Sequence, residues 1–158
     1  RQRKADWQLF TGEGSGAMSR PIYEGEADRE AELVVMNHLA LKGFSALPSP
    51  TYSCIDMVIF KGHEWLGFGE VRRRKMKFKQ YPDVFMSAAK VKKIAELQSM
   101  VSLPTWFFLA LDDGLWSMKM PSINDRLNIK EGGRNQMRDK WDREPMAHFE
   151  WGCFKNVG

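Results

Sequence analysis

Residues 55–75 read IDMVIFKGHEWLGFGEVRRRK. Two apolar runs, 52–60 and 65–72, flank the polar KGHE (61–64), the pattern of two strands around a tight turn. Each run carries one acid at the end away from the turn, Asp56 and Glu70, and Arg72, Arg73 and Arg74 follow the second. With the turn centred on His63, Phe60 opposes Leu66, Val58 opposes Phe68 and Asp56 opposes Glu70. Directly opposed residues share a face, with Cβ atoms about 4.5–5.5 Å apart. Side chains two apart along one strand share it too. The hairpin therefore has a face that is apolar near the turn and doubly acidic at the far end, with Arg72 one step beyond Glu70. Two opposed carboxylates repel and need a proton, a basic neighbour or a metal cation between them. Magnesium, which takes one or two carboxylates plus waters and a phosphate oxygen, suits such a pair. The spacing by itself equally fits solvated rim acids paired with nearby arginines.

A third acid lies upstream. EGEADREAELVVMNHLALK (24–42) has few helix breakers, acids in its opening turns, apolar residues at 33, 35, 36 and 39, and Gly43 as a stop. That predicts an amphipathic helix. Glu32 precedes Met36 and Leu39 by four and seven residues, so it shares their core-facing stripe. Glu26 and Glu30 are its rivals.

Around these parts the chain reads as a short strand at 44–47, then PSP (48–50), which forbids a helix. Past the two strands, Pro82 and Asp83 open a helix over 84–101. PTWFFLALDDGLWSMKM (104–120) then reads as strand, Asp-Gly turn and strand. Its first strand is apolar on both faces, as a covered central strand would be. Residues 119–158 form a polar, basic extension, expected to be irregular with a short final strand. Residues 1–22, with GEGSG (12–16), read as a flexible arm, leaving one domain over 23–158 with a core of 24–118. The order of elements predicts an α/β fold: a mixed sheet flanked by helices.

The 158 residues carry a net charge of +4, and the charge is uneven. From Glu70 to Lys93 nine Lys or Arg face two acids, a local +7. Such a segment suits a polyanionic partner. Two cysteines, Cys54 and Cys153, are too few for a cysteine-rich zinc motif and read as reduced thiols, which points to a cytoplasmic, intracellular setting. No apolar run approaches the roughly 18 residues of a membrane span. The chain opens on Arg1 rather than Met, consistent with trimming or a longer parent, so the lack of a targeting signal excludes little.

In the order of these parts, the sequence resembles the PD-(D/E)XK nuclease superfamily, with its restriction-endonuclease-like core of helix, three strands, helix and strand. Asp56 matches the family's Asp, Glu70-Val71-Arg72 matches its Glu-x-Lys, and Glu32 in ELVVMNHLALKGF matches the helix-1 acid of many members, including junction resolvases. YPDVFMSAAKVKKIAEL (81–97) resembles the second core helix and PTWFFLAL the next strand, so the likeness spans residues 24–118. It implies a small phage-type or resolvase-like enzyme that hydrolyses DNA with Mg²⁺ or Mn²⁺. Asp56, Glu70, Glu32 and the Val71 carbonyl would be the metal ligands. It also allows a homodimer, as in nucleases that cut two strands, and does not exclude RNA.

The chain departs from the family pattern where Arg72 replaces lysine. Arginine keeps a positive charge near the phosphate but is not deprotonated, so it is no base. Some members bring the lysine from the second helix, which here implies Lys90. The alternative reading is a non-catalytic nucleic-acid-binding module on a degenerate nuclease scaffold. Arg73, Arg74, Lys75, Lys77, Lys79, Lys93 and Arg134 are the expected phosphate contacts. Phe78 and Tyr81, interleaved with lysines, either stack on bases or pin their loop.

Overall fold

A computed structural model describes residues 25–50, 53–133 and 143–158. The expected arm (1–22) with its GEGSG and the expected phosphate contact Arg134 lie outside these. Helix α1 (Glu26–Leu41) is followed by β1 (Ser45–Pro48), β2 (Met57–Lys61) and β3 (Glu64–Arg73). Next come β4 (Val84–Ser87), α2 (Ala88–Val101), β5 (Thr105–Leu111) and β6 (Gly114–Lys119). The chain ends in β7 (Asn128–Gly133), β8 (Arg143–Phe149), a 3-10 turn (Trp151–Cys153) and β9 (Lys155–Asn156). Among the described residues these strands form a six-stranded mixed sheet, ordered β1-β2-β3-β5-β6-β9, and a separate three-stranded sheet, β4-β8-β7.

The expected hairpin forms with one irregularity that matters. Its turn is the two residues Gly62 and His63, so Lys61 pairs Glu64 and Phe60 pairs Trp65 rather than Leu66. A bulge then places Ile59 opposite Gly67, Val58 opposite Phe68 and Met57 opposite Gly69. Leu66 is the extra residue of that bulge. Without it Asp56 would continue opposite Gly69, and Asp56 and Glu70 would belong to opposite faces. The bulge depends on glycine: at Gly67 φ is +152°, and an added Cβ would stand 2.3 Å from the Pro104 carbonyl oxygen.

The central strands β3 and β5 run parallel, Glu70 beside Phe107, and α2 lies in the connection between them. Alternate residues of β5 feed two cores. On one face Ala31, Val35 and Leu39 of α1 pack on Met57, Ile59, Val71, Phe108 and Ala110. On the other, Val91 and Ile94 of α2 meet Phe68, Phe107 and Leu109, together with Val84, Met86, Ala147 and Phe149 of the small sheet. The TWFFLAL run is thus covered on both sides, as its composition requires.

Two expectations need correction. The segment from Val84 is not helical at first: VFMS is a strand paired with β8, and the helix begins at Ala88. Its β-branched and aromatic side chains favour strand once a partner exists, and that partner lies 60 residues later. The region after Lys119 is also not largely irregular. It supplies β7, β8 and the buried Phe149, Trp151 and Phe154, so the hydrophobic core extends past residue 118. Gly67→Ala is expected to destabilise the protein by more than about 2 kcal/mol, from overpacking and a disfavoured φ. A urea titration that leaves the midpoint unchanged would show that the bulge tolerates a side chain.

Candidate active site

Glu70 sits in the middle of β3 with no solvent exposure. Its neighbours explain how a carboxylate survives there. Lys90 Nζ lies 2.5 Å from Glu70 Oε1, and an Arg72 guanidinium nitrogen 3.3 Å from the same atom. Lys90 both attracts and hydrogen-bonds the carboxylate, while Oε2 has no hydrogen-bond partner among the described residues. Burial, then the charge of Asp56, raise the Glu70 pKa to about 7, against the opposing pull of Lys90 and Arg72.

Asp56 stands just ahead of β2, where the ladder with β3 runs out. Its backbone N–H donates to the Gly69 carbonyl at 2.9 Å. Its Oδ2 accepts the Val71 N–H at 2.7 Å. Even-numbered residues of β3 point their amides toward β5, as Phe68 N–H to Pro104 and Arg74 N–H to Ala110 show. Val71 therefore directs both its N–H and its carbonyl to the Asp56 side.

Lys90 arrives from α2. Ser87 caps the helix, accepting the Lys90 N–H at 3.4 Å, and Lys90 occupies the first turn with its side chain 24% exposed. Sequence reading placed the helix start several residues early. The missed signal was Ser87 ahead of the helix-forming AAK run. Charges on Lys90 and Lys93 both act on Cys54, two residues before Asp56, so the second lysine serves the same neighbourhood. Burial is the larger influence on that thiol and raises its pKa.

Glu32 is buried at 8% exposure, on the stripe with Val35 and Leu39, whereas Glu26 and Glu30 are exposed. Its helix covers the Val71 face of the sheet, the face opposite Glu70. Among the described residues no three His, Cys, Asp or Glu side chains gather as metal ligands. The donors brought together are the two carboxylates and the Val71 edge of the strand. That set still fits a hard divalent ion, because Mg²⁺ needs few protein ligands when water and phosphate complete its shell. Glu70 Oε2, buried and without a hydrogen-bond partner among the described residues, suits such a ligand.

The basic run divides by role. Lys75, Lys77, Lys79 and Lys93 are exposed. Arg73 instead holds Asp112 at 2.5 Å and donates to the carbonyls of Arg74 and Ala110. Arg74 is partly buried, and burial lowers its pKa, with Arg72 adding to the effect and Asp28 opposing it. Phe78 stacks on Trp116 with ring centroids 4.8 Å apart and meets Trp151 edge-on, while its N–H donates to Asp113. It pins the loop. Tyr81 remains exposed although its carbonyl accepts the Trp151 indole N–H at 2.6 Å.

The family comparison puts the chain among nucleases of the PD-(D/E)XK class. The chain belongs to the family described as "Phage putative PDDEXK endonuclease", whose model matches residues 18–157. Its fold is similar to that of the Holliday junction resolvase Hjc from the archaeal hyperthermophile Archaeoglobus fulgidus. The TM-score is 0.53 at 13% identity, over 82% of this chain and 95% of that one. No curated protein matches the sequence. No described helix is long and apolar enough to cross a membrane.

The unfolded chain binds the Glu70 proton near 4.5 and the folded protein near 7. The protonated acid thus contributes stability that is complete below about pH 4.5 and lost as pH rises through about 7. Metal-free protein should lose about 3 kcal/mol across that window, at about 1.4 kcal/mol per pKa unit. Glu70→Gln should remove most of the slope in denaturant melts. A slope unaffected by that change would assign the pH dependence elsewhere.

Proposed function

We propose that this nuclease is a Mg²⁺- or Mn²⁺-dependent DNA endonuclease, with Asp56 and Glu70 holding the ion. One observation carries the reading. A fully buried glutamate lies beside a second carboxylate, and both cations that the reaction needs, Lys90 and Arg72, already converge on its Oε1.

Each residue has a defined task. Asp56, fixed by the Val71 N–H, and Glu70, fixed in the central strand, present ionised oxygens from one side of the hairpin. The Val71 carbonyl, aimed toward Asp56, is a third donor. The bound ion would polarise the phosphoryl oxygen and lower the pKa of a water at the site. Arg72 keeps a permanent positive charge where the phosphoryl group gains negative charge. Lys90 supplies the family's missing lysine from the helix. Resting on Glu70, it meets any phosphate oxygen that approaches that carboxylate. Glu32, buried on the neighbouring helix, is the third candidate acid, which would orient water or hold a second ion.

Lys75, Lys77, Lys79 and Lys93 line the approach and grip phosphates without reading sequence. Binding should accordingly weaken steeply with salt. The Lys90–Glu70 contact favours the enzyme over the binding module, because it answers the objection raised by Arg72.

Asp56→Ala and Glu70→Ala should each slow Mg²⁺-dependent cleavage by about 100-fold or more while leaving DNA affinity within a few-fold. Lys90→Ala should slow it more than Arg72→Ala does. Titration calorimetry should show Mn²⁺ binding to the wild type and little to Asp56→Asn. Intact plasmid, nicked and branched DNA after prolonged incubation with both ions would overturn the enzymatic reading in favour of the binding module.

A further inference from the structure

Lys90 is carried by a helix whose starting point is set by the small sheet. No loop separates β4 from α2: Ser87 is the last strand residue and the helix cap at once. Strand β4 pairs residue by residue with β8, Val84 with Phe149 through Ser87 with Met146. Two side-chain links cross this seam on diagonal neighbours. Asp83 Oδ2 meets His148 Nδ1 at 2.9 Å, and the Ser87 hydroxyl donates to Glu144 Oε2 at 3.0 Å. Ser87 is only 9% exposed.

The second link bears on the active site. A serine hydroxyl has one hydrogen and two lone pairs. Once Glu144 takes that hydrogen, the oxygen faces the helix as an acceptor and receives the Lys90 N–H. The Glu144 carboxylate also stands beside a helix N-terminus, where a negative charge is favourable. The next contact in the series is Lys90 Nζ on Glu70 Oε1. Fixing the backbone of Lys90 matters because its long, flexible stem otherwise has many rotamers that miss the carboxylate.

We infer that Glu144 and Ser87 are positioning residues for Lys90, coupling the C-terminal β7–β8 hairpin to the active site through one hydrogen-bonded cap. This rests on the nuclease reading for its effect on rate, and on geometry alone for its effect on Lys90. The sheet does more than cover the core. It sets where the helical lysine begins its reach.

The test uses the full chain with Ser87→Ala, Glu144→Ala and the conservative Ser87→Thr, alone and combined with Lys90→Ala. Single-turnover cleavage of saturating DNA should fall about 10-fold in the first two variants, with DNA Kd unchanged within about twofold; a missing cap hydrogen bond misplaces a group rather than a binding surface. Ser87→Thr should retain the wild-type rate. In the Lys90→Ala background Ser87→Ala should add nothing, since both act through one lysine. An equal further loss there would mean general damage to the fold and would overturn the proposal.

A second measurement does not need catalysis. Wild-type Lys90, held on Glu70, should react slowly with an amine-acylating reagent. Mass spectrometry should show its acylation rising several-fold in Ser87→Ala and Glu144→Ala, with Lys92 unchanged as the internal control. Unchanged Lys90 labelling would sink the positioning role even if the protein cleaves DNA. Altered labelling in a protein that never cleaves would uphold the role and reject the nuclease reading instead.

Discussion

A carboxylate with no exposure to water, embedded in the central strand of a sheet, is the constraint to which the surrounding architecture responds. Burying an unpaired charge of that kind costs several kcal/mol. Glu70 is tolerated because Lys90, Arg72 and a readily bound proton are all within reach of it. None of the three is a permanent solution. The proton is held only weakly near neutrality, and both cations approach the same oxygen, leaving Oε2 without a hydrogen-bond partner among the described residues.

The elements that meet at Glu70 come from distant parts of the chain. The β2–β3 hairpin brings Asp56, a parallel β5 encloses the other edge, and α2 delivers Lys90 from outside the large sheet. The small sheet, built partly from residues 128–133 and 143–149, fixes the start of that helix. Local pairing sets the carboxylates, whereas long-range pairing sets the lysine.

The basic run after Glu70 shows why charge density is a poor guide to binding. Arg73 and Phe78 are spent on the Asp112–Asp113 turn and on Trp116, which tie the loop to the body. The tie gives the exposed Lys75, Lys77 and Lys79 a fixed platform, at the cost of two residues that sequence alone would assign to nucleic acid.

Sequence by itself determined the hairpin, the apolar stripe on α1 with Glu32 in it, the doubly covered β5 and its Asp-Gly turn. Each is written in local periodicity and turn chemistry, whose energetics act over a few residues. Asp56 and Glu70 were legible for the same reason, as acids on apolar strands, whereas Lys90 followed only from the resemblance to the nuclease superfamily. Tertiary structure alone decided three other matters. A bulge at Leu66, admitted by Gly67 against the Pro104 carbonyl, restored the register that sets Asp56 against Glu70. VFMS became strand because β8 supplied the pairing partner, and Glu144 became a neighbour of Ser87 through that pairing. α1 settled on the Val71 face of the sheet. Register, partner and face are relations between segments far apart in the chain. No local pattern fixes them, because the free energy that selects among them appears only when both segments are packed.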